Sequence, residues 1–140
     1  MVAIAHITTV DEWESARNMG EYEVSTLGVS LEEAGFVHAV ALDGVRTVLD
    51  ERYADIRYGL VLMILDTEAL TADGIKVTEE SPGYPHVHGR IPTDGEAVLA
   101  VLPIERENGE FLLPDLTRFG PGPDLTTDAT AGFEPAITGI

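Results

Sequence analysis

Four histidines are the residues of this chain best suited to chemistry: His6, His38, His86 and His88. An imidazole exchanges a proton close to neutral pH, so it can serve as a general acid or a general base. His6 and His38 each close a short apolar run, whereas the other two lie in the Pro/Gly-bounded segment 84–89. Functional sites are often built at strand ends and loops, so all four are candidate site residues.

The spacing of His86 and His88 allows three kinds of chemistry. Residues two apart on an extended segment point to the same face. The two imidazoles could form a metal pair completed by Glu79 or Glu80, an acid/base pair with separated pKa values, or a hydrogen-bonding pair that holds a substrate or a loop. Because this spacing fixes no third ligand, no metal site is predicted.

Several other candidates have a plain structural interpretation. A single histidine among apolar residues is commonly a hydrogen-bonded core or rim residue, and this is favoured for His6 and His38 taken singly. Asp66 and Asp115 end apolar segments and could pair with a histidine, but each is better explained as a cap or turn residue. The chain contains no G-x-S-x-G elbow, no phosphate-binding loop and no G-x-G-x-x-G after a strand.

The apolar pattern and the capping residues predict the elements that position the histidines. In the first half we predict a strand at 2–7, followed by a helix with Thr9 as N-cap, Glu12 as its capping-box partner and Gly20 as its stop. We then predict a helical turn between Ser30 and Gly35, in which Glu33 completes a capping box, and a strand at 36–40. A helix capped by Asp43 should follow and run to about residue 54. In the second half we predict a buried central strand at 60–65, a strand at 75–79, a turn at 81–83, an interior strand at 97–104 and a hairpin turn at Asn108 and Gly109.

This order of elements favours an α+β fold, because strands and short helices alternate only in the first half. We predict a single domain over residues 1–115, followed by an extended Gly/Pro/Thr-rich tail over 116–140. Phe119, Phe133 and Ile137 would let the tail pack over the domain or onto a second copy, which would give a homodimer. The simpler alternative is a mobile terminus.

Composition limits the partners. The net charge is −17, from 25 acidic and 8 basic side chains, and Lys76 is the only lysine. Such a surface repels phosphate backbones, so nucleic-acid binding is not expected. The chain has no cysteine, which excludes disulfides and thiolate sites. It shows neither a signal-peptide pattern nor an apolar run long enough to span a bilayer, so we expect a cytoplasmic protein that does not enter the membrane.

Five short motifs resemble a known family. They are His6-Ile7-Thr8, Trp13 in the following helix, Gly20-Glu21-Tyr22, Gly35-Phe36-Val37-His38 and Pro85-His86-Val87-His88-Gly89. Their order and rough spacing resemble the small bacterial family catalogued as domain of unknown function nine-five-two, over roughly residues 3–113. The chain departs from that family's pattern at Ala39 and Val40, at residues 23–26, and at His88, where the family has a tyrosine.

The resemblance implies an ADP-ribosyltransferase-like fold, with a split, curved sheet and short helices around a cleft. By resemblance, His6 and Thr8 would contact the ribose of NAD, and His38 and His86 would face the same cleft. Arg90, beside Gly89, is then the best-placed cation for a phosphate, or else an exposed arginine at a strand end.

Three functions remain open. The first is a small enzyme that uses an apolar, histidine-lined cleft for cyclisation, isomerisation or elimination of a small, largely uncharged molecule, without a cofactor. The second is a transferase that uses NAD or an ADP-ribosyl group, and the third is a non-catalytic domain that binds a small molecule or a protein. For the enzyme we predict His86, His38 and His6 as catalytic residues. The predicted substrate-binding residues are Thr8, His88, Tyr84 and Arg90.

Overall fold

The computed structural model describes residues 3–26 and 29–119, which form a mixed α+β fold. Its strands are β1 (Ala3–Thr9), β2 (Glu21–Tyr22), β3 (Val24–Thr26), β4 (Val29–Ser30), β5 (Val37–His38), β6 (Val40–Ala41), β7 (Leu60–Asp66), β8 (Lys76–Ser81), β9 (Tyr84–His88), β10 (Ile91–Pro92), β11 (Val98–Glu107) and β12 (Glu110–Leu112). Its α-helices are α1 (Val10–Met19), α2 (Leu31–Ala34), α3 (Val45–Arg52) and α4 (Thr67–Ala72). Two short 3₁₀ segments lie at Leu42–Gly44 and Thr117–Phe119. No helix within the described ranges is long and apolar enough to cross a membrane.

A five-stranded antiparallel sheet forms the centre of the fold, in the order β12-β11-β7-β1-β6. The predicted central strand is confirmed: β7 pairs with a strand on each side, and its residues 60–65 are all buried. Alternate side chains of a strand point to opposite faces of the sheet. Accordingly, Ile64 packs in one apolar cluster with Val45 of α3, while Leu65 packs in a second cluster with Leu70 of α4.

A smaller antiparallel sheet, β5-β9-β8, carries three of the four histidines. Val37 and Val87 are register partners, and both are fully buried in the second apolar cluster. Their neighbours His38 and His86 are also register partners, and they point to the opposite face. The burial of two valines therefore holds two imidazoles on the face of this sheet that points away from the second apolar cluster.

The predicted single strand at 36–40 is wrong in detail, because the chain changes sheets there. β5 pairs with β9 in the smaller sheet, whereas β6 pairs with β1 in the larger one. Ala39 lies between them, and its N–H donates to the carbonyl of Pro85 at 3.0 Å. The crossover between the two sheets therefore lies at the residue that follows His38.

Both predicted β-turns are confirmed. Residues 82–83 connect β8 to β9, and Gly83 has φ of +84°. Asn108 and Gly109 connect β11 to β12 with φ of 54° and 84°. Positive φ at both central positions is what a type I′ two-residue hairpin turn requires, and asparagine and glycine tolerate it best.

Capping and helix boundaries agree with the sequence at some positions and not at others. The capping box of Ser30 and Glu33 is confirmed. Asp43 does not cap α3, because it lies in the 3₁₀ segment and α3 begins after Gly44 without a side-chain cap. Thr9 caps α1 by accepting from the N–H of Glu12 at 3.1 Å, but the Glu12 carboxylate bonds to the neighbouring threonine instead of completing a box.

The strand predicted at 97–104 is present as part of β11, but most of its side chains are only partly buried. Leu99 is 37% exposed. β12 pairs only with residues 105–107 of β11, so the preceding part has a neighbour on one side. An edge segment is more exposed than the interior strand that its apolar composition predicted.

The predicted tail lies mostly outside the described residues. Leu116 and Phe119 are described, and both pack against the first apolar cluster. Phe133 and Ile137, and with them the predicted packing or dimerisation of the tail, lie outside the described residues.

Candidate functional site

A cleft of about 360 Å³ opens between the two sheets. Its lining residues come from β1, the crossover, α3, the hairpin of β8 and β9, and β3: Ala5, His6, Ile7, Thr26, His38, Ala39, Val40, Val48, Arg52, Tyr53, Glu80, Ser81, Tyr84 and His86. The volume is at the small end of the range for ligand pockets. We predicted an apolar cleft, but the lining is divided, with aliphatic side chains from β1, β6 and α3 and polar groups elsewhere.

His38 and His86 face each other on paired strands at this cleft. Their ring centroids are 6.0 Å apart, with the ring planes at 79°. Phe36 stacks on His86 at 3.7 Å with the planes 11° apart, and it meets His38 edge-on at 4.7 Å. Phe36 lies two residues before His38, so the alternation of the strand places all three rings on one face. The phenyl ring thereby limits the orientations of both imidazoles.

His88 lies on the same face but outside the cleft lining. Its ring centroid is 6.2 Å from that of His86, and its Nε2 lies 2.8 Å from the Thr78 hydroxyl. The side chain is exposed. The expectation from spacing, that His86 and His88 share a face, agrees with this placement, while the substrate-binding role predicted for His88 stays a prediction.

His6 is one of the lining residues, but it is almost wholly buried in the cleft wall, where two hydrogen bonds hold it. It is 2% exposed, with Nδ1 2.5 Å from the backbone carbonyl of His38 and Nε2 2.6 Å from the Tyr22 hydroxyl. A carbonyl can only accept, so Nδ1–H must donate to it, and Nε2 must then accept from Tyr22. Burial lowers the pKa of His6 to about 4. At neutral pH the ring is therefore uncharged, and both of its nitrogens are occupied.

Thr8 belongs to the same buried network rather than to the open cleft. It is 3% exposed, and its hydroxyl donates to a Glu12 carboxylate oxygen at 2.9 Å. Burial raises the pKa of Tyr22, so its phenol stays protonated at every ordinary pH. The ribose contacts that the resemblance implies would need His6 and Thr8 to be accessible, and both side chains instead bond to protein groups.

The surroundings of the cleft shift the pKa values of two of its lining residues, His38 and Tyr53. The pKa of His38 is lowered, first by burial, then by repulsion from His86 and Arg52. Burial also raises the pKa of Tyr53, which therefore presents a protonated phenol. His38 is thus neutral near pH 7 and can accept a proton.

Sequence reasoning missed Arg52 as a site residue. It lies four residues after Val48 on α3, and both side chains line the cleft. Residues four apart share a helix face, so the apolar position of Val48 was a signal that could have found it. The predicted cation, Arg90, lies elsewhere: its Nε contacts Glu23 at 3.2 Å, both side chains are exposed, and it does not line the cleft.

The other residues considered from the sequence lie partly in the cleft lining and partly at turns and helix caps. Tyr84 lines the cleft and is 43% exposed. Of the carboxylates considered for a metal, Glu80 lines the cleft and Glu79 accepts from the N–H of Gly83 at 2.9 Å. No group of three or more metal-binding side chains occurs within residues 3–26 and 29–119. Asp66 caps α4, and Asp115 accepts from Thr117, as expected for cap and turn residues.

The fold and the cleft define a class of protein: a small mixed α+β domain with a histidine pair on one wall of a cleft between two antiparallel sheets. Within that class the chain belongs to the family described as "Protein of unknown function (DUF952)", whose profile matches residues 7–101. The predicted family is thereby confirmed.

Solved structures show the same fold. The crystal structure of protein CC0527 from Caulobacter crescentus, a structural genomics target, has a TM-score of 0.63 and 20% sequence identity. The match covers 83% of this chain and 96% of that one. A double-mutant form of CC0527 matches with a TM-score of 0.62 and 19% identity over the same shares of the two chains. At this level of identity the likeness concerns the fold alone. No curated protein matches the chain.

Proposed function

We propose that this protein is a small enzyme that moves protons on a small molecule bound in the cleft, with His38 and His86 as its acid/base pair. The observation that carries this proposal is the placement of the two rings, 6.0 Å apart on paired strands at the wall of one cleft. A reacting atom lying between two such imidazoles can lose a proton to one of them and gain a proton from the other.

Each residue of the cleft has a distinct role in this proposal. His38 is the proton acceptor, because its lowered pKa keeps the ring neutral near pH 7. His86, held by the stacked Phe36, is its partner across the strand pair. The Tyr53 phenol, which also lines the cleft, can donate a hydrogen bond to a substrate oxygen on which negative charge develops.

His6 takes a positioning role instead of the catalytic role predicted from sequence. Its Nδ1–H bonds to the backbone carbonyl of His38 and its Nε2 bonds to Tyr22, which leaves neither nitrogen for a substrate. The bond to His38 fixes the backbone at the position where the chain crosses between sheets. His6 therefore acts on the chemistry through the orientation of His38.

The reactions that suit this arrangement begin with removal of a proton from carbon next to a carbonyl group. Return of the proton at another carbon gives isomerisation, loss of a leaving group gives elimination, and attack of the carbanion within the same molecule gives ring closure. All three need a base, an acid and a hydrogen bond to the developing oxyanion, and they need no cofactor.

The ADP-ribosyltransferase-like description of the fold also belongs to the proposals. Its support is the family resemblance together with a cleft bounded by two sheets. The NAD-dependent alternative has weaker support than proton transfer, because the side chains assigned to ribose, His6 and Thr8, are buried and bonded to protein. It predicts a rise in melting temperature with NAD.

Hydrogen–deuterium exchange at carbon tests the proposal without knowledge of the natural substrate. The protein is incubated in D₂O with a panel of small ketones and keto acids, and loss of the proton next to the carbonyl is followed by NMR. We expect the wild-type protein to accelerate exchange in at least one compound, and His38→Ala and His86→Ala each to abolish the acceleration. His38→Ala preserves the bond to His6, since that bond uses the backbone carbonyl.

His88→Ala is the matched control, because this ring shares the same face but lies outside the cleft lining. It should keep most of the activity. Unchanged exchange after both His38→Ala and His86→Ala would refute the proposal. Binding of a compound in the cleft without any exchange across the panel would favour the non-catalytic binding domain.

A further inference from the structure

Arg52 is the basic side chain that lines the cleft, in a chain with 8 basic and 25 acidic side chains. Five other arginines in the described ranges have partners elsewhere: Arg17 with Glu14, Arg46 with Asp50, Arg90 with Glu23, Arg106 with the carbonyls of Ala54 and Ile56, and Arg118 with the Phe119 ring. Arg52 forms no ion pair with any residue in the described part of the chain. A guanidinium kept free in so acidic a protein is available to an anion from outside.

The surroundings of Arg52 place that anion close to the histidine pair. Its charge acts on the ring of His38 and on Tyr53, so these groups lie within electrostatic reach of it. Glu80 also lines the cleft, yet it forms no ion pair with Arg52. The charge of Arg52 is therefore not neutralised by the one carboxylate that shares the cleft lining.

We infer that the cleft binds a small carboxylic acid whose carboxylate is held by Arg52 and whose apolar body lies against Ala39, Val40 and Val48. This inference rests on the proposed function, since it places the reacting carbon of the same ligand between His38 and His86. It changes the predicted substrate class from a largely uncharged molecule to a monoanion.

The charges favour a carboxylate over a phosphate. The planar guanidinium matches a carboxylate with two parallel hydrogen bonds. A dianionic phosphate would meet a single permanent cation, would be repelled by Glu80 in the same lining, and would approach a chain of net charge −17. The volume of about 360 Å³ suits a ligand with one ring or a short branched chain.

Three probes with the same phenyl ring test the inference: benzoate, benzamide and phenyl phosphate. Each is titrated into the full-length protein while the ring resonances of His38 and His86 are followed by NMR, so that binding is located as well as measured. The titrations are repeated with Arg52→Gln, and with Arg57→Gln as the matched control, because Arg57 is exposed and does not line the cleft. Thermal unfolding of each variant checks that it is folded.

We expect benzoate to shift both histidine resonances and to bind at least tenfold more tightly than benzamide and phenyl phosphate. Arg52→Gln should remove this preference, and Arg57→Gln should keep it. Equal binding of benzoate and benzamide at the histidines would overturn the carboxylate inference while leaving the proposed cleft intact. Tighter binding of phenyl phosphate would overturn it in favour of a phosphate ligand. If no probe shifts either resonance, both the inference and the proposed binding cleft fail.

Discussion

Histidine side chains lie in two different environments on the two sides of the crossover at Ala39. On the buried side, His6 is 2% exposed, neutral and bonded at both nitrogens. On the open side, His38 and His86 lie at the cleft with Phe36 packed against their rings. The number of histidines in the sequence does not reveal this difference, which depends on whether both ring nitrogens are bonded to protein groups, as they are in His6.

The two sides are mechanically coupled through one backbone carbonyl. His6 donates to the carbonyl of His38, and the side chain of His38 projects into the cleft from the same residue. A change on the buried side should therefore act mainly on stability, whereas a change on the open side should act mainly on chemistry. This contrast can be tested by breaking each side separately.

The largest expected effect is on stability after His6→Ala. The substitution leaves a cavity, and it also leaves the Tyr22 hydroxyl and the carbonyl of His38 without their partner. We expect a loss of about 4 kcal/mol in the free energy of unfolding, from the cavity and the unsatisfied groups together. His86→Ala, at a partly exposed position, should lose no more than about 1 kcal/mol. Urea unfolding measures both, and equal losses would contradict the division between the two sides.

The next effect concerns pH. In the unfolded chain His6 has its ordinary pKa of 6.5, and in the folded protein its pKa is about 4. Below pH 6.5 the unfolded state therefore binds more protons, so the stability that His6 contributes is lost as the pH falls from 6.5 to about 4. The expected loss is about 3 kcal/mol.

Carboxylates also titrate in that range, so the test is a difference between variants. The stability of the wild-type protein minus that of His6→Gln, measured by urea unfolding from pH 7.5 to pH 4, should decrease by about 3 kcal/mol. The same difference taken with Ser25→Ala should stay nearly constant, because neither a serine nor an alanine side chain titrates in this range. A flat difference for His6→Gln would show that His6 is not held neutral by burial.

A smaller effect is expected from Tyr22→Phe. The substitution removes one oxygen and leaves the buried Nε2 of His6 without a donor, while the ring packing stays the same. We expect a loss of about 2 kcal/mol. Tyr58→Phe is the control, because Tyr58 is 68% exposed, and it should change stability by less than about 0.5 kcal/mol. A wild-type stability in Tyr22→Phe would contradict the tautomer assigned to His6.

Sequence alone predicted the parts of this fold that depend on local pattern. The unbroken apolar run at Leu60 marked the central strand, and Asn108 and Gly109 marked a hairpin turn, since both signals are contained within a few residues. The shared face of His86 and His88 also followed from the alternation of one strand. Family motifs predicted which family the chain belongs to.

What depended on pairing between distant segments could not be predicted. Residues 36–40 are too short to show that β5 and β6 pair with different sheets, because the partners are more than 30 positions away. The burial of His6 depends on Tyr22, and the cleft position of Arg52 depends on how α3 packs against β1. The pairing of β5 and β6 and the contact of His6 with Tyr22 leave no periodic trace in the sequence. Helical spacing puts Arg52 on the same helix face as Val48, but it does not show which cleft that face borders.

The smallest expected effect concerns another buried polar side chain, that of Ser25 on β3. Ser25 is fully buried, and its hydroxyl has no hydrogen-bond partner among the described residues. An unsatisfied buried hydroxyl destabilises the folded state, so Ser25→Ala should raise stability by up to about 1 kcal/mol. Thermal unfolding detects such a change, and a clear loss of stability would mean that the hydroxyl is satisfied in solution.

The most direct test of the division between the two sides is a titration of the four imidazoles by NMR, in the wild-type protein and in His86→Ala. We predict that His6 stays neutral down to about pH 4 with its proton on Nδ1, and that His38 titrates below its ordinary pKa of 6.5. In His86→Ala the pKa of His38 should rise, because the repulsion from His86 is removed. A His6 that titrates near pH 6.5, or a His38 whose pKa does not change when His86 is removed, would contradict the division between the two sides.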